Sequence, residues 1–68
     1  MQYVIIEMQT NNGSTAILTD QKGTRNEADS VYYLKLAAAA ISKVPIHTVA
    51  LLDENGACLM SGCYDHQE

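Results

Sequence analysis

The stretch Asn26 to Val44, NEADSVYYLKLAAAAISKV, decides the fold, because it alone is long enough and rich enough in strong helix formers to cover a small sheet. Asn26 is a favoured N-cap type, and Asp29 stands where a carboxylate reaches back to the free amides, as in a capping box. Glu27 and Asp29 suit the positive end of the helix dipole and Lys43 the negative end. Pro45 sets the stop, since it lacks an amide and holds Val44 in extended geometry. Such a helix spans roughly 25 Å, the length of a strand of about seven or eight residues.

Successive steps of 100° place Tyr33, Leu34, Ala37, Ala40, Ile41 and Val44 on one face, with Val31 and Ala38 at its edge, and this is the expected core face. A second apolar stripe, Tyr32, Leu36 and Ala39, lies on the other side with little polar cover and is left over for an interface. The alanine run from Ala37 to Ala40 needs no reading beyond helix propensity and close packing.

The flanking segments read as hairpins. Gln2 to Gln9 alternates Val4, Ile6 and Met8 with Tyr3, Ile5 and Glu7, and the first set, free of charge, is the expected core side. Asn11-Asn12-Gly13 is a strong turn signal, after which Ser14 to Asp20 returns as a more polar edge strand. Beyond the helix, Ile46 to Leu52 is apolar on both faces, as a central strand is. Asp53-Glu54-Asn55-Gly56 turns the chain into a fourth strand, Ala57 to Tyr64, in which Gly62 marks an expected bulge. Asp65 to Glu68 reads as a polar tail. The result is a single α+β domain over residues 1–68, ββαββ, with a four-stranded antiparallel sheet in the order 2-1-3-4 and the helix on one face. The other face, carrying some of Tyr3, Ile5, Ile17, Leu52 and Leu59, must meet solvent or a partner.

At 68 residues the chain buries only about 60% of the surface its unfolded form exposes, so self-association is expected. Its 47% hydrophobic and 18% charged residues belong to a folded protein, not a disordered one. A net charge of −4, with no basic cluster beyond Lys22 and Arg25, argues against nucleic acid and anionic membranes as partners. Met1 leads straight into a strand pattern with no signal-peptide layout, and no apolar run is long enough to span a bilayer, so the expected location is the cytoplasm.

Chemistry-bearing residues are sparse. Cys58 and Cys63 with His47 and His66 are the one set resembling metal ligands, and zinc would need four convergent donors. The five-position offset between the cysteines points them to opposite faces of a regular strand, which opposes both a shared metal and a disulfide. No third orienting group accompanies a Cys–His pair, His47 reads as an exposed or hydrogen-bonded strand residue, and Asp53 and Glu54 are turn residues. No phosphate-binding loop or dinucleotide fingerprint occurs, and no catalytic, cofactor or metal residue is assigned.

From Tyr33 to Tyr64, the alanine run, Ser42-x-Val44-Pro45-Ile46-His47, the Ala50-Leu51-Leu52 strand and the Asn55-Gly56 turn resemble the C-terminal half of short uncharacterised bacterial proteins of Firmicute genomes and their mobile elements. The resemblance covers about half the chain. It implies a bacterial cytoplasmic origin and carries over no activity or site.

Three functional readings follow. The first is a non-enzymatic protein–protein interaction module, homodimeric or bound to another protein through Tyr3 and Ile5 of the uncovered sheet face or through Tyr32, Leu36 and Ala39. The second is a small metal or redox site using Cys58, Cys63 and His47 or His66. The third is a ligand binder or enzyme with a site at an oligomer interface.

Overall fold

The computed structural model describes residues 2–66. Strands β1 (Tyr3–Asn11) and β2 (Ser14–Lys22) form a hairpin, helix α1 (Arg25–Ala40) follows, and β3 (Ile46–Asp53) and β4 (Cys58–Asp65) form a second hairpin. The strands make one four-stranded sheet in the order β2-β1-β3-β4, every pair antiparallel, as the sequence leads one to expect. Asn12 and Gly13 both have positive φ, 52° and 81°, the two-residue hairpin geometry that Asn-Gly favours. In the second turn Gly56 takes φ 85°, while Asp53 Oδ1 accepts from the amides of Asn55 (2.9 Å) and Ala57 (3.0 Å).

The helix differs from expectation at both ends. Its N-cap is Thr24, whose hydroxyl oxygen accepts from the Glu27 amide at 3.3 Å while the hydroxyl donates to Glu27 Oε1. Thr24-x-x-Glu27 is thus the capping pair, and Asn26 lies inside the first turn. At the other end the helix stops at Ala40 instead of Val44. The Ser42 amide closes on the Ala39 carbonyl at 3.2 Å, and the Ser42 hydroxyl takes the Val44 amide at 3.0 Å, so the chain is already turning before Pro45. Lys43 falls outside the last turn, and the cap is supplied by His66, whose Nε2 donates to the Ala39 carbonyl at 3.0 Å. Asp65, read as tail, belongs to β4; of that tail, residues 67–68 lie outside the described residues.

The larger correction concerns faces. The core is Ile5, Val49 and Leu51 of the sheet against Ala28, Tyr32 and Ala39 of the helix, with Tyr3, Val31, Leu36 and Met60 packed around it. The stripe left over by the sequence reading is therefore the packed face. Tyr33, Leu34 and Ile41 of the expected core face are 57, 69 and 86% exposed. On β1 the side carrying Tyr3, Ile5 and Glu7 lies under the helix, and the side carrying Val4, Ile6 and Met8 is uncovered. Two features favour this choice. Ala28 and Ala39 are short enough to let the helix lie close to the strands. Gly62 offers a recess into which Leu36 fits, since a Cβ built there would stand 2.7 Å from Leu36 Cδ1 and 3.4 Å from the Tyr32 hydroxyl.

Gly62 therefore marks a close approach of helix and strand. The bulge of β4 lies elsewhere, at Leu59, where the register steps from Leu51 opposite Met60 to Leu52 opposite Cys58. Gly62→Val is expected to cost about 1–3 kcal/mol by overpacking against Leu36. Equilibrium urea unfolding checks this, and an unchanged midpoint would remove the close approach from the account.

Candidate functional site

Under the helix, β1 and β3 bring together a polar cluster inside the apolar layer. Glu7 and His47 are 7% and 4% exposed, and they lie on the same face of neighbouring strands, two positions apart in register, since Glu7 faces Val49 and Gln9 faces His47. His47 Nε2 donates to Glu7 Oε2 in a short contact. Gln9 Nε2 reaches the same oxygen at 3.3 Å, and Lys35 Nζ, from the middle of α1, reaches Oε1 at 3.3 Å. The carboxylate thus accepts from three side chains. His47 Nδ1 is fully buried and has no partner among the described residues.

A carboxylate orienting one imidazole nitrogen is half of a familiar acid–base arrangement, but the other nitrogen must then meet a substrate. Here it is sealed inside the protein. The cluster accordingly ties β1 to the helix through Lys35 and to β3 through His47.

The electrostatics give a pH prediction. Burial alone pushes the Glu7 carboxyl up, and the bonds from His47, Gln9 and Lys35 together outweigh it and hold the group below its ordinary value of 4.5. A carboxyl depressed by folding contributes stability that is complete above the unfolded value and is lost as pH falls through the folded one. The melting temperature is therefore expected to fall as the solution is acidified below pH 4.5, and Glu7→Gln to flatten that part of the profile. Parallel slopes for parent and variant in circular-dichroism melts would contradict this.

Gln9 also lines an open cleft of about 360 Å³ at the end of the first hairpin, together with Asn11, Ser14, Thr15, Ala16 and Val44. Its volume falls within the range of small-molecule sites, but the lining holds no titratable group and no base to activate Ser14 or Thr15. It is an open notch of mixed polar and apolar lining.

The sequence-selected cysteines and histidines do not converge. The bulge at Leu59 restores parity, so Cys58, opposite Leu52, and Cys63, opposite Thr48, share the uncovered face despite their five-position offset. Their partners are four residues apart on β3, roughly 13 Å along a strand, beyond disulfide reach. Both thiols are free and exposed, and Thr48 Oγ1 donates to Cys63 Sγ at 3.2 Å. His47 lies under the sheet's other face and His66 is engaged at the helix end, so the sheet separates these donors. No group of three or more His, Cys, Asp or Glu suited to a metal occurs among the described residues.

The residues expected at an interface also need correction. Ile5, Tyr32 and Ala39 are buried in the chain's own core, with Tyr3 and Leu36 packed against it, so none of this set is a free docking surface. The exposed large apolar side chains are instead Tyr33 and Leu34 on the helix, Ile41 just beyond its end, Met8 on the uncovered sheet face, Ile17 and Leu18 on opposite faces of β2, and Leu59 and Tyr64 on β4. No helix among the described residues is long and apolar enough to cross a membrane.

The chain matches no family model, and comparisons with curated proteins and with solved structures gave no match.

Sequence reading passed over Glu7, Gln9 and Lys35. The available signal was that Glu7, in the 2-1-3-4 order, falls on a strand adjacent to that of His47, while Lys35 shares a helix stripe with Tyr32, Leu36 and Ala39.

Proposed function

We propose that this protein is a non-enzymatic interaction module that self-associates. The observation that carries the reading is an imbalance of apolar surface. Ile5, Tyr32, Val49 and Leu51 are the large apolar side chains buried in the core, whereas Met8, Ile17, Leu18, Tyr33, Leu34, Ile41, Leu59 and Tyr64 stand 36–86% exposed. Isolated exposed leucines are ordinary, but large apolar side chains exposed in greater number than those buried, in so short a chain, mark contact surfaces. A bacterial cytoplasmic setting, drawn from the resemblance over residues 33–64, suits two free thiols held apart on one sheet face.

Light scattering coupled to size exclusion tests the reading. A mass above the 7.4 kDa of one chain, rising with loading concentration, is the expected result. A single-chain mass at every concentration overturns self-association.

A further inference from the structure

Resting on that reading of self-association, we infer that the free edge of β2 is the pairing surface, and that a second copy adds its own β2 there, antiparallel, to make one sheet running through both copies. The two edges of the sheet are unequal. Strand β4 carries the bulge at Leu59 and the glycine at Gly62, devices that interrupt edge pairing. Strand β2 has none: its register with β1 runs unbroken from Ser14 to Lys22, without proline or glycine, and its only charges are Asp20 and Lys22. The helix leans mainly on β3 and β1 and only lightly on β2, where Ile17 is 62% and Leu18 49% exposed. A long edge strand with an unbroken register and an exposed apolar side chain on each face is a ready template for a further strand.

The hairpin settles which backbone groups are free. Asn11 and Ser14 close the two-residue turn as a hydrogen-bonded pair, and alternation then gives Ser14, Ala16, Leu18, Asp20 and Lys22 to β1. Thr15, Ile17, Thr19 and Gln21 direct their amides and carbonyls outward. A two-fold axis at Leu18, perpendicular to the sheet, sets Thr15 against Gln21 and Ile17 against Thr19 of the second copy, matching these outward groups and using the strand's full length. Leu18 meets its own counterpart on the helix side. Asp20 falls opposite Ala16 and Lys22 opposite Ser14, so no like charges face each other and the strand is locally neutral. The occupant is a second copy because this edge is complementary to itself about that axis. Each chain carries −4 overall, so added salt, by screening the mutual repulsion, tightens the dimer; a basic partner would show the opposite dependence.

The test combines solution mass with disulfide trapping. Thr19→Pro removes an outward amide from an edge position that tolerates proline, and Ser30→Glu, at an exposed helix position, serves as the control. The expected result is that Thr19→Pro stays folded by circular dichroism and raises the dissociation constant by roughly tenfold or more, while Ser30→Glu leaves it unchanged. In a Cys58→Ser, Cys63→Ser background, Leu18→Cys is expected to cross-link two copies under mild oxidation and Ala16→Cys not to, since only the Leu18 pair falls within disulfide reach in this register. If Thr19→Pro fails to fold, the trapping result decides. A parent that self-associates while Thr19→Pro has no effect and Leu18→Cys fails to cross-link overturns the edge pairing and leaves self-association standing. A parent that is monomeric throughout overturns both.

Discussion

Glu7→Ala is expected to destabilise the chain by about 3–5 kcal/mol, because three donors, led by the buried His47 Nε2, lose their common acceptor at about 1–3 kcal/mol for a buried one. The variant strands His47 Nε2 beneath the helix, where Nδ1 already lacks a partner, and takes from Lys35 and Gln9 the carboxylate to which they donate. A 68-residue domain has a total stability of about 3–10 kcal/mol, so this single change consumes most or all of it. Glu7→Leu combined with His47→Leu should recover much of the loss, because replacing both members by apolar groups removes the unmet polar atoms instead of exposing them. Lys35 in the double variant can extend to solvent, since its side chain is already 24% exposed. Urea unfolding of the two single variants and the double one, read as a double-mutant cycle, checks this. Additive losses would mean that Glu7 and His47 do not act as a unit.

Tyr32→Ala carries the second large effect, a loss of about 3–5 kcal/mol, as for other buried aromatic truncations. Tyr32 is 3% exposed and lies in the core with Ile5, Val49 and Leu51, and its hydroxyl stands over the Gly62 backbone. Leu34→Glu, two residues on and 69% exposed, should change stability by no more than about 0.5 kcal/mol. The contrast is diagnostic because these positions belong to opposite apolar stripes of one helix. A Leu34→Glu variant that unfolds while Tyr32→Ala stays folded would place the core on the wrong side of α1.

Strand count, strand order and the one helix were legible because turn chemistry is local. Asn12-Gly13, Asp53-x-x-Gly56 and Pro45 divide the chain into segments whose lengths admit few connections. The faces were not legible, for a physical reason. The helix carries two apolar stripes of similar strength, and the one with larger side chains, Tyr33, Leu34 and Ile41, loses to the one whose alanines and recess at Gly62 permit close contact. On β1 the charge of Glu7 marked its side as exposed, yet a carboxylate that finds His47, Gln9 and Lys35 can be buried. Each error reinforced the other, because a sheet face and a helix face must be chosen together. The cysteine geometry failed through a single residue: the extra position at Leu59 inverts the parity on which the opposite-face inference depended. Thr24-x-x-Glu27 was readable as a capping pair and was displaced by the weaker Asn26 and Asp29.

In the proposed dimer a second copy completes a chain that exposes more large apolar side chains than it buries. Its most direct test is the melting temperature of the parent protein over roughly a hundredfold range of concentration, because association that favours the folded state makes that temperature rise with concentration. A steady rise is expected, steeper at high salt and flattened in Thr19→Pro. A melting temperature independent of concentration, together with a single-chain mass of 7.4 kDa, would contradict it.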